Sequence, residues 1–421
     1  MTRIRTVGSR TFLSLRRHRN YRLFFAGQIT SVCGTWMQNV ALYWLILSIT
    51  HSPLAVGILS LARFGPFTLL GLFAGVVADR FDNRRTVIVT QSVQMVFSAL
   101  LAAVTLLGTV EPWQVYLIAT LTGTAVVFDL PARQNLTMQL VGRDELPNAI
   151  ALNSSLFNTA RILGPALAGI VLATAGAGWC FAINSLSFLA VLAGLLAMRA
   201  SELFPLLGRG RPTLIRGAAE AIAFVRADRR MLVITLLAMV VMSISFNVNV
   251  LLPVLAKNTL DAGPQTFGIV TACFGAGALV GALVAASFGR ARWRFIIGSV
   301  AIFGIAELII APLQSVVAVG VLLFVCGICF TTYTSASNSA VQLGTPDHIR
   351  GRVLGVFFYA WTAPLPLASP LIGWLCTIGG TELAFTVGGI CALAAAGVGT
   401  LAVRRSPPGS LRLRAAEPAV A

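Results

Sequence analysis

The sequence has little charge. Asp, Glu, Lys and Arg make up 11% of its 421 residues, where soluble domains carry nearer a quarter. That shortage excludes the two or three soluble domains its length would allow, because such domains need polar surface. Lysine is almost absent: Lys257 is the only one, and arginine supplies the rest of the 31 basic side chains. There are three histidines, His18, His51 and His348, scattered between the apolar runs. No metal-ligand spacing and no nucleophile–base pair can be assembled from them, which argues against a metal site and against a membrane-embedded enzyme. The seven cysteines all fall inside apolar runs. Cys326 and Cys329 form a C-x-x-C there, where small packing residues explain the pair better than redox chemistry does. The first apolar run is too long for a signal-peptide core and lacks an obvious cleavage site.

What the chain has instead is apolar length. Hydrophobic residues make up 57% of it. Twelve runs of about 20 such residues, the first at 22–48 and the last at 381–403, can each cross the hydrocarbon core of a bilayer. Backbone groups in lipid must be satisfied within the segment, so the runs are expected to be helices. The fold class expected is an all-α integral membrane protein with twelve transmembrane helices.

The net charge of +17 would suit nucleic acid, but its placement does not. Arginines cluster before the first run and between runs 2 and 3, 4 and 5, 6 and 7, 8 and 9, and 10 and 11, and again after run 12. The opposite side has only Lys257. Arginine on alternate connections puts both termini in the cytoplasm. The partner is therefore a lipid bilayer and not a nucleic acid. The arginine-rich composition fits a GC-rich bacterial genome, hence a bacterial inner membrane.

The chain divides into a basic cytoplasmic arm at 1–20, a six-helix bundle at 21–200, a linker at 201–230, a second six-helix bundle at 231–403 and a tail at 404–421. The linker pattern Leu214, Ile215, Ala218, Ile222, Val225 predicts an amphipathic surface helix. The halves show a faint repeat: Pro53 matches Pro264, Arg80 matches Arg290 and Arg84 matches Arg294. Two parallel six-helix halves with a site between them would give such a repeat.

Polar residues inside the runs are the candidates for function, since they must face protein or water. In run 1, Gln28, Ser31, Gln38 and Asn39 fall roughly on one side at helical spacing. Asn247 and Asn249 lie in run 7, and Tyr333 and Asn338 in run 10. Arg63 and Arg161 sit within runs 2 and 5. Each either meets an anionic or catechol-type ligand or bonds backbone freed by nearby glycine and proline breaks. Gly164-Pro165 is the predicted helix break in run 5, and Gly71 and Gly75 form a G-x-x-x-G suited to close helix packing. Glu307 is the one carboxylate well inside a run. Asp129 ends run 4 and is expected to pair with Arg80 or Arg84. Glu307 and Asp129 are the weak candidates for carrying a proton.

The stretch Gly75–Arg85, GVVADRFDNRR, resembles the signature of the major facilitator superfamily, with Asp82 and Asn83 departing from its pattern. GTWMQNVALYWLILSIT from Gly34, FDLPARQNL from Phe128, LPNAIALNSSLFNTARILGPALAG from Leu146 and Arg350-Gly351-Arg352-Val353 narrow the likeness. They resemble the drug:proton antiporter branch, which includes the enterobactin exporter and macrolide efflux proteins. The resemblance implies the major facilitator fold and a monomeric exporter of a small organic molecule. It implies no cofactor, the proton gradient as energy source, and one half rocking against the other. An importer or permease of the same fold is the alternative. The gating set it implies is Gly75, Asp79, Arg80, Arg84, Arg85, Asp129 and Gly351, with Asp79 capping the helix that starts near Gly351.

Overall fold

The computed structural model describes residues 12–205, 214–288, 293–346 and 349–404, a few of them, Asp79 included, in backbone only. Among the described residues there is no β-strand. The helices are α1 (Leu13–Arg17), α2 (Arg19–Thr50), α3 (Pro53–Arg80), α4 (Asn83–Leu106), α5 (Pro112–Thr174), α6 (Ala177–Leu196), α7 (Leu214–Ala227), α8 (Arg229–Val240), α9 (Val248–Val254), α10 (Pro264–Phe288), α11 (Trp293–Ile310), α12 (Val316–Gly344), α13 (Arg350–Thr362) and α14 (Pro364–Arg404). Two π-helical turns, Val241–Ser245 and Leu255–Thr259, flank α9.

Ten continuous helical stretches among the described residues are long and apolar enough to cross a membrane. Two of them hold two runs each. In α5 the break is Gly142, at φ 72°, and in α14 it is Gly379-Gly380, the second at φ 66°. Left-handed backbone costs glycine nothing and other residues about a kcal/mol or more, so these glycines separate one helix from the next without a long loop. All twelve apolar runs are thereby placed in helices. Large side chains stand far out of the protein, such as Leu69 at 76% and Val317 at 77% exposure. In water that would be an aggregation hazard, and in lipid it is ordinary solvation.

Local signals set the helix ends. Pro53, Pro112 and Pro264 open α3, α5 and α10, where a missing N–H costs nothing. Asp82 caps α4 by accepting the Arg85 N–H at 2.8 Å, and Asp228 caps α8 through the N–H groups of Arg230 and Met231. The departure from the family signature at position 82 is thus a helix cap.

The chain forms two compact units, Met1–Arg209 with Asp261–Ala272, and Gly210–Leu260 with Cys273–Ala421. In the first, α2 lies against α5 and α6, α3 against α5, and α4 against α5 and α6. Its core gathers Tyr21, Phe24, Val87, Leu136, Leu140 and Val191. In the second, α11 lies against α12 and α14, the turn Val241–Ser245 lies against α14, and α7 lies along α13.

Two expectations change and two gain detail. Within their own unit Gly71 and Gly75 are not a packing face among the described residues, since a Cβ on Gly71 would meet only its own Phe67 ring and one on Gly75 nothing within 4 Å. Gly164-Pro165 is not a helix break: α5 runs through both, and Gly164 serves as the seat for Trp36 of α2, where a Cβ would fall 2.4 Å from that side chain. In the basic arm, Ser14 bonds Asn148 at 2.8 Å and Arg17 pairs with Glu145 at 2.9 Å. In the linker helix α7, Ala221 and Val225 are buried while Ile222 is exposed. The repeat partners Gly289 and Arg290, and the tail beyond Arg404, lie outside the described residues.

Candidate functional site

In the first unit, Arg63 sits on α3 within a membrane span. Its guanidinium donates to Asn39 Oδ1 of α2 and lies 5.6 Å from the Phe64 ring centre. Tyr43 stands beside it and bonds Ser60 at 2.9 Å. No carboxylate pairs with Arg63 among the described residues. Its own carbonyl is pressed against α5, where a Cβ on Gly123 would fall 2.1 Å from that oxygen. The backbone is therefore fixed while the charged head is held by one amide and one ring. Of the two readings for Arg63, its hydrogen bond to the Asn39 side chain departs from a bond to backbone freed at Gly65-Pro66. Arg161 on α5 places its guanidinium carbon 5.5 Å from the Trp36 ring centre.

Helical phase explains why run 1 splits its polar residues. At about 100° per residue, Gln38 and Asn39 fall on opposite edges of their polar arc. Asn39 meets α3. Gln38 meets the other side, accepting from Ser98 of α4 at 2.5 Å and from Asn184 of α6 at 2.6 Å. Gln38 is thus a three-helix tie rather than a cavity lining. Gln28 accepts from Arg133 and leaves its Nε2 buried without a partner.

At the arginine-bearing end, Asp129 pairs with Arg133 one turn along its own helix, not with Arg80 or Arg84. It also accepts from Thr90 at 2.7 Å and Gln91 at 3.0 Å, both on α4. Both carboxylate oxygens are therefore engaged. Arg84 instead donates to the carbonyls of Leu195 and Leu196, at 2.9 and 3.2 Å. These close α6, whose C-terminal end favours a cation. Arg80 and Arg85 are exposed, and Gly351 has open space where a Cβ would stand. The Asp79 side chain lies outside the described residues. Thr90, Gln91, Ser98 and Asn184 were missed by the sequence reading. The signal was present, because each is a polar residue within an apolar run.

In the second unit, a cavity of about 180 Å³ lies between α12 and α13, lined by Tyr333, Ser337, Asn338, Phe357, Phe358 and Trp361 among others. The Trp361 indole N–H is buried without a hydrogen-bond partner, and the Tyr333 and Ser337 hydroxyls have only each other. Thr331 and Thr332 add two unpaired hydroxyls on α12. Buried polar groups are normally paired, so an indole N–H that is not has its donor free for a ligand. Asn247 is occupied, bonding Ser369 at 3.1 Å, and Asn249 is half-buried. Glu307 lies on α11, fully inside the unit.

A family model described as MFS_3, transmembrane secretion effector, matches residues 10–414. The chain belongs to this family, a branch of the major facilitator superfamily. It is a multi-pass membrane transporter and not an enzyme. The staphyloferrin A transporter of Staphylococcus aureus is 26% identical over 377 residues, covering 88% of this chain and 92% of that one. Macrolide efflux protein A of Streptococcus pyogenes is 22% identical over 365 residues, covering 85% and 89%. In fold the chain is similar to the nucleoside transporter NupG, with a TM-score of 0.73 at 13% identity over 91% of this chain and 98% of that one. The sequence reading of family and fold class agrees with these likenesses.

Proposed function

We propose that this transporter exports a small siderophore-like or drug-like organic molecule from the bacterial cytoplasm, across the inner membrane, in exchange for protons. The α12–α13 cavity is the observation that carries the reading. Trp361 there has a buried indole N–H with no protein partner, and the Tyr333 and Ser337 hydroxyls have only each other, between aromatic walls and with no charged lining residue. Such a surface suits a planar, acceptor-bearing part of a substrate. Arg63, steadied by Asn39 but facing no carboxylate, takes an anionic group of the substrate during its passage. The export direction is supported by the likeness to macrolide efflux protein A. Cytoplasmic termini are supported by the arginine alternation, and Asp79 has the part of a gate.

The test is accumulation of staphyloferrin A and of erythromycin in cells with and without the protein, repeated with the proton gradient collapsed. Lower accumulation that depends on the gradient is expected for at least one of them. Arg63→Ala should cut export of an anionic substrate by about tenfold to a hundredfold, the loss of a charge-assisted hydrogen bond of about 1.5–3 kcal/mol, at unchanged membrane levels. Raised accumulation with the protein present would make it an importer, and equal accumulation of both compounds would overturn the efflux reading.

A further inference from the structure

Glu307 is the buried group that the substrate sites leave unused. It is 1% exposed, and neither carboxyl oxygen has a hydrogen-bond partner. Among the described residues no Arg, Lys or His pairs with it. The titratable groups that face it are two thiols, Cys326 of α12 and Cys391 of α14. An acid that ties nothing together is a poor structural element, and an ionisable group inside a membrane span marks an ion path more often than a fold contact.

Its surroundings connect it to a part that can move. The backbone of Gly388 on α14 is pressed against the carboxyl: a Cβ there would stand 2.9 and 3.1 Å from the two oxygens. The carbonyl of that same glycine accepts the Ser245 hydroxyl at 2.9 Å. Ser245 ends the π-helical turn Val241–Ser245. Such a turn carries a surplus residue that can be passed along a helix, and these turns collect at functional sites. The next residue, Phe246, packs edge-on to Phe303 at 4.0 Å, one helical turn before Glu307. The same ring lies 6.1 Å from Tyr333 on the cavity wall.

We propose that Glu307 is the proton-carrying residue, and that the Val241–Ser245 turn relays its protonation state to the α12–α13 cavity. The acid form sits among Gly388 and the two thiols without needing a donor. When its proton leaves to water, the carboxylate needs donors. The Ser245 hydroxyl, already bonded through Gly388, is one it can recruit. That exchange releases the Gly388 carbonyl, shifts the turn, and moves Phe246 against Tyr333. A proton taken from water on the other side of the membrane reverses the steps. This inference rests on the efflux reading, and names the residue by which the gradient acts.

The experiment uses the full chain in proteoliposomes, with radiolabelled erythromycin and staphyloferrin A as probes. Glu307→Gln should lose gradient-driven accumulation by about tenfold, within the usual size of coupling between two sites, while exchange of the same probe without a gradient stays close to wild type. Ser245→Ala should keep the proton signal but weaken the coupling. Infrared difference spectra across a pH titration read the carboxylic acid itself, and the wild-type signal should vanish in Glu307→Gln. Gradient-driven accumulation retained by Glu307→Gln would overturn the proposal. If wild type moves neither probe, the efflux reading fails instead. The infrared arm still separates the two, since an acid signal unchanged in Glu307→Gln overturns the proton assignment by itself.

Discussion

Asp129 and Glu307 are both carboxyl groups buried within membrane helices, one in each unit, and their surroundings are opposite. Asp129 accepts from Arg133, Thr90 and Gln91. Glu307 accepts from nothing. A carboxylate whose oxygens are all engaged cannot change its proton without breaking several contacts at once. One with no contacts can lose or gain a proton at the cost of rearranging only its neighbours. Burial alone therefore says little about what an acid in a membrane span is for, and the number of donors facing it says more.

The largest stability effect expected along this series is at Asp129. Asp129→Ala leaves Arg133, 21% exposed in its side chain, without its partner, and breaking such a pair costs about 3 kcal/mol. The folded yield in membranes should fall sharply, read by size-exclusion of detergent extracts. A normal yield would place Asp129 with Glu307 as a free acid and erase the contrast.

Much of the fold was legible in the sequence, and the partners of its polar residues were not. Lipid imposes helices, so the length of apolar runs gave the spans. Alternate arginines are the basis for proposing a side for each connection. What a sequence cannot give is which neighbour faces which edge of a helix. Gln38 and Asn39 are adjacent in the chain, yet one ties α4 and α6 while the other holds Arg63 of α3. Asp129 was expected to reach Arg80 or Arg84, because charged residues at one membrane face look interchangeable in a string. The nearer arginine, Arg133, is four residues along the same helix and competes without any tertiary alignment. Conversely, the lone position of Glu307 in its run was visible, but its lack of partners was not.

Two exposed acids extend the series downward. Asp82 caps α4 from an exposed position, so Asp82→Ala should cost about 1 kcal/mol, seen as a modest fall in thermal midpoint. Glu220 pairs with Arg352 where α7 meets α13, with side chains 52% and 36% exposed. Glu220→Ala should cost about 0.5 kcal/mol or less, and that small effect should fade further in high salt. An effect larger than that of Asp82→Ala would show that the linker helix contributes more than an exposed pair can.

The most direct measurement of the contrast is thermal unfolding of purified Asp129→Asn and Glu307→Gln beside wild type, at matched detergent and pH. Asp129→Asn removes a charge that Arg133 needs and should lower the midpoint clearly. Glu307→Gln removes a carboxyl that no donor holds and should leave the midpoint unchanged or raise it, while lowering gradient-driven transport by about tenfold. Equal destabilisation by both substitutions would contradict the account, because Glu307 would then be a structural acid like Asp129.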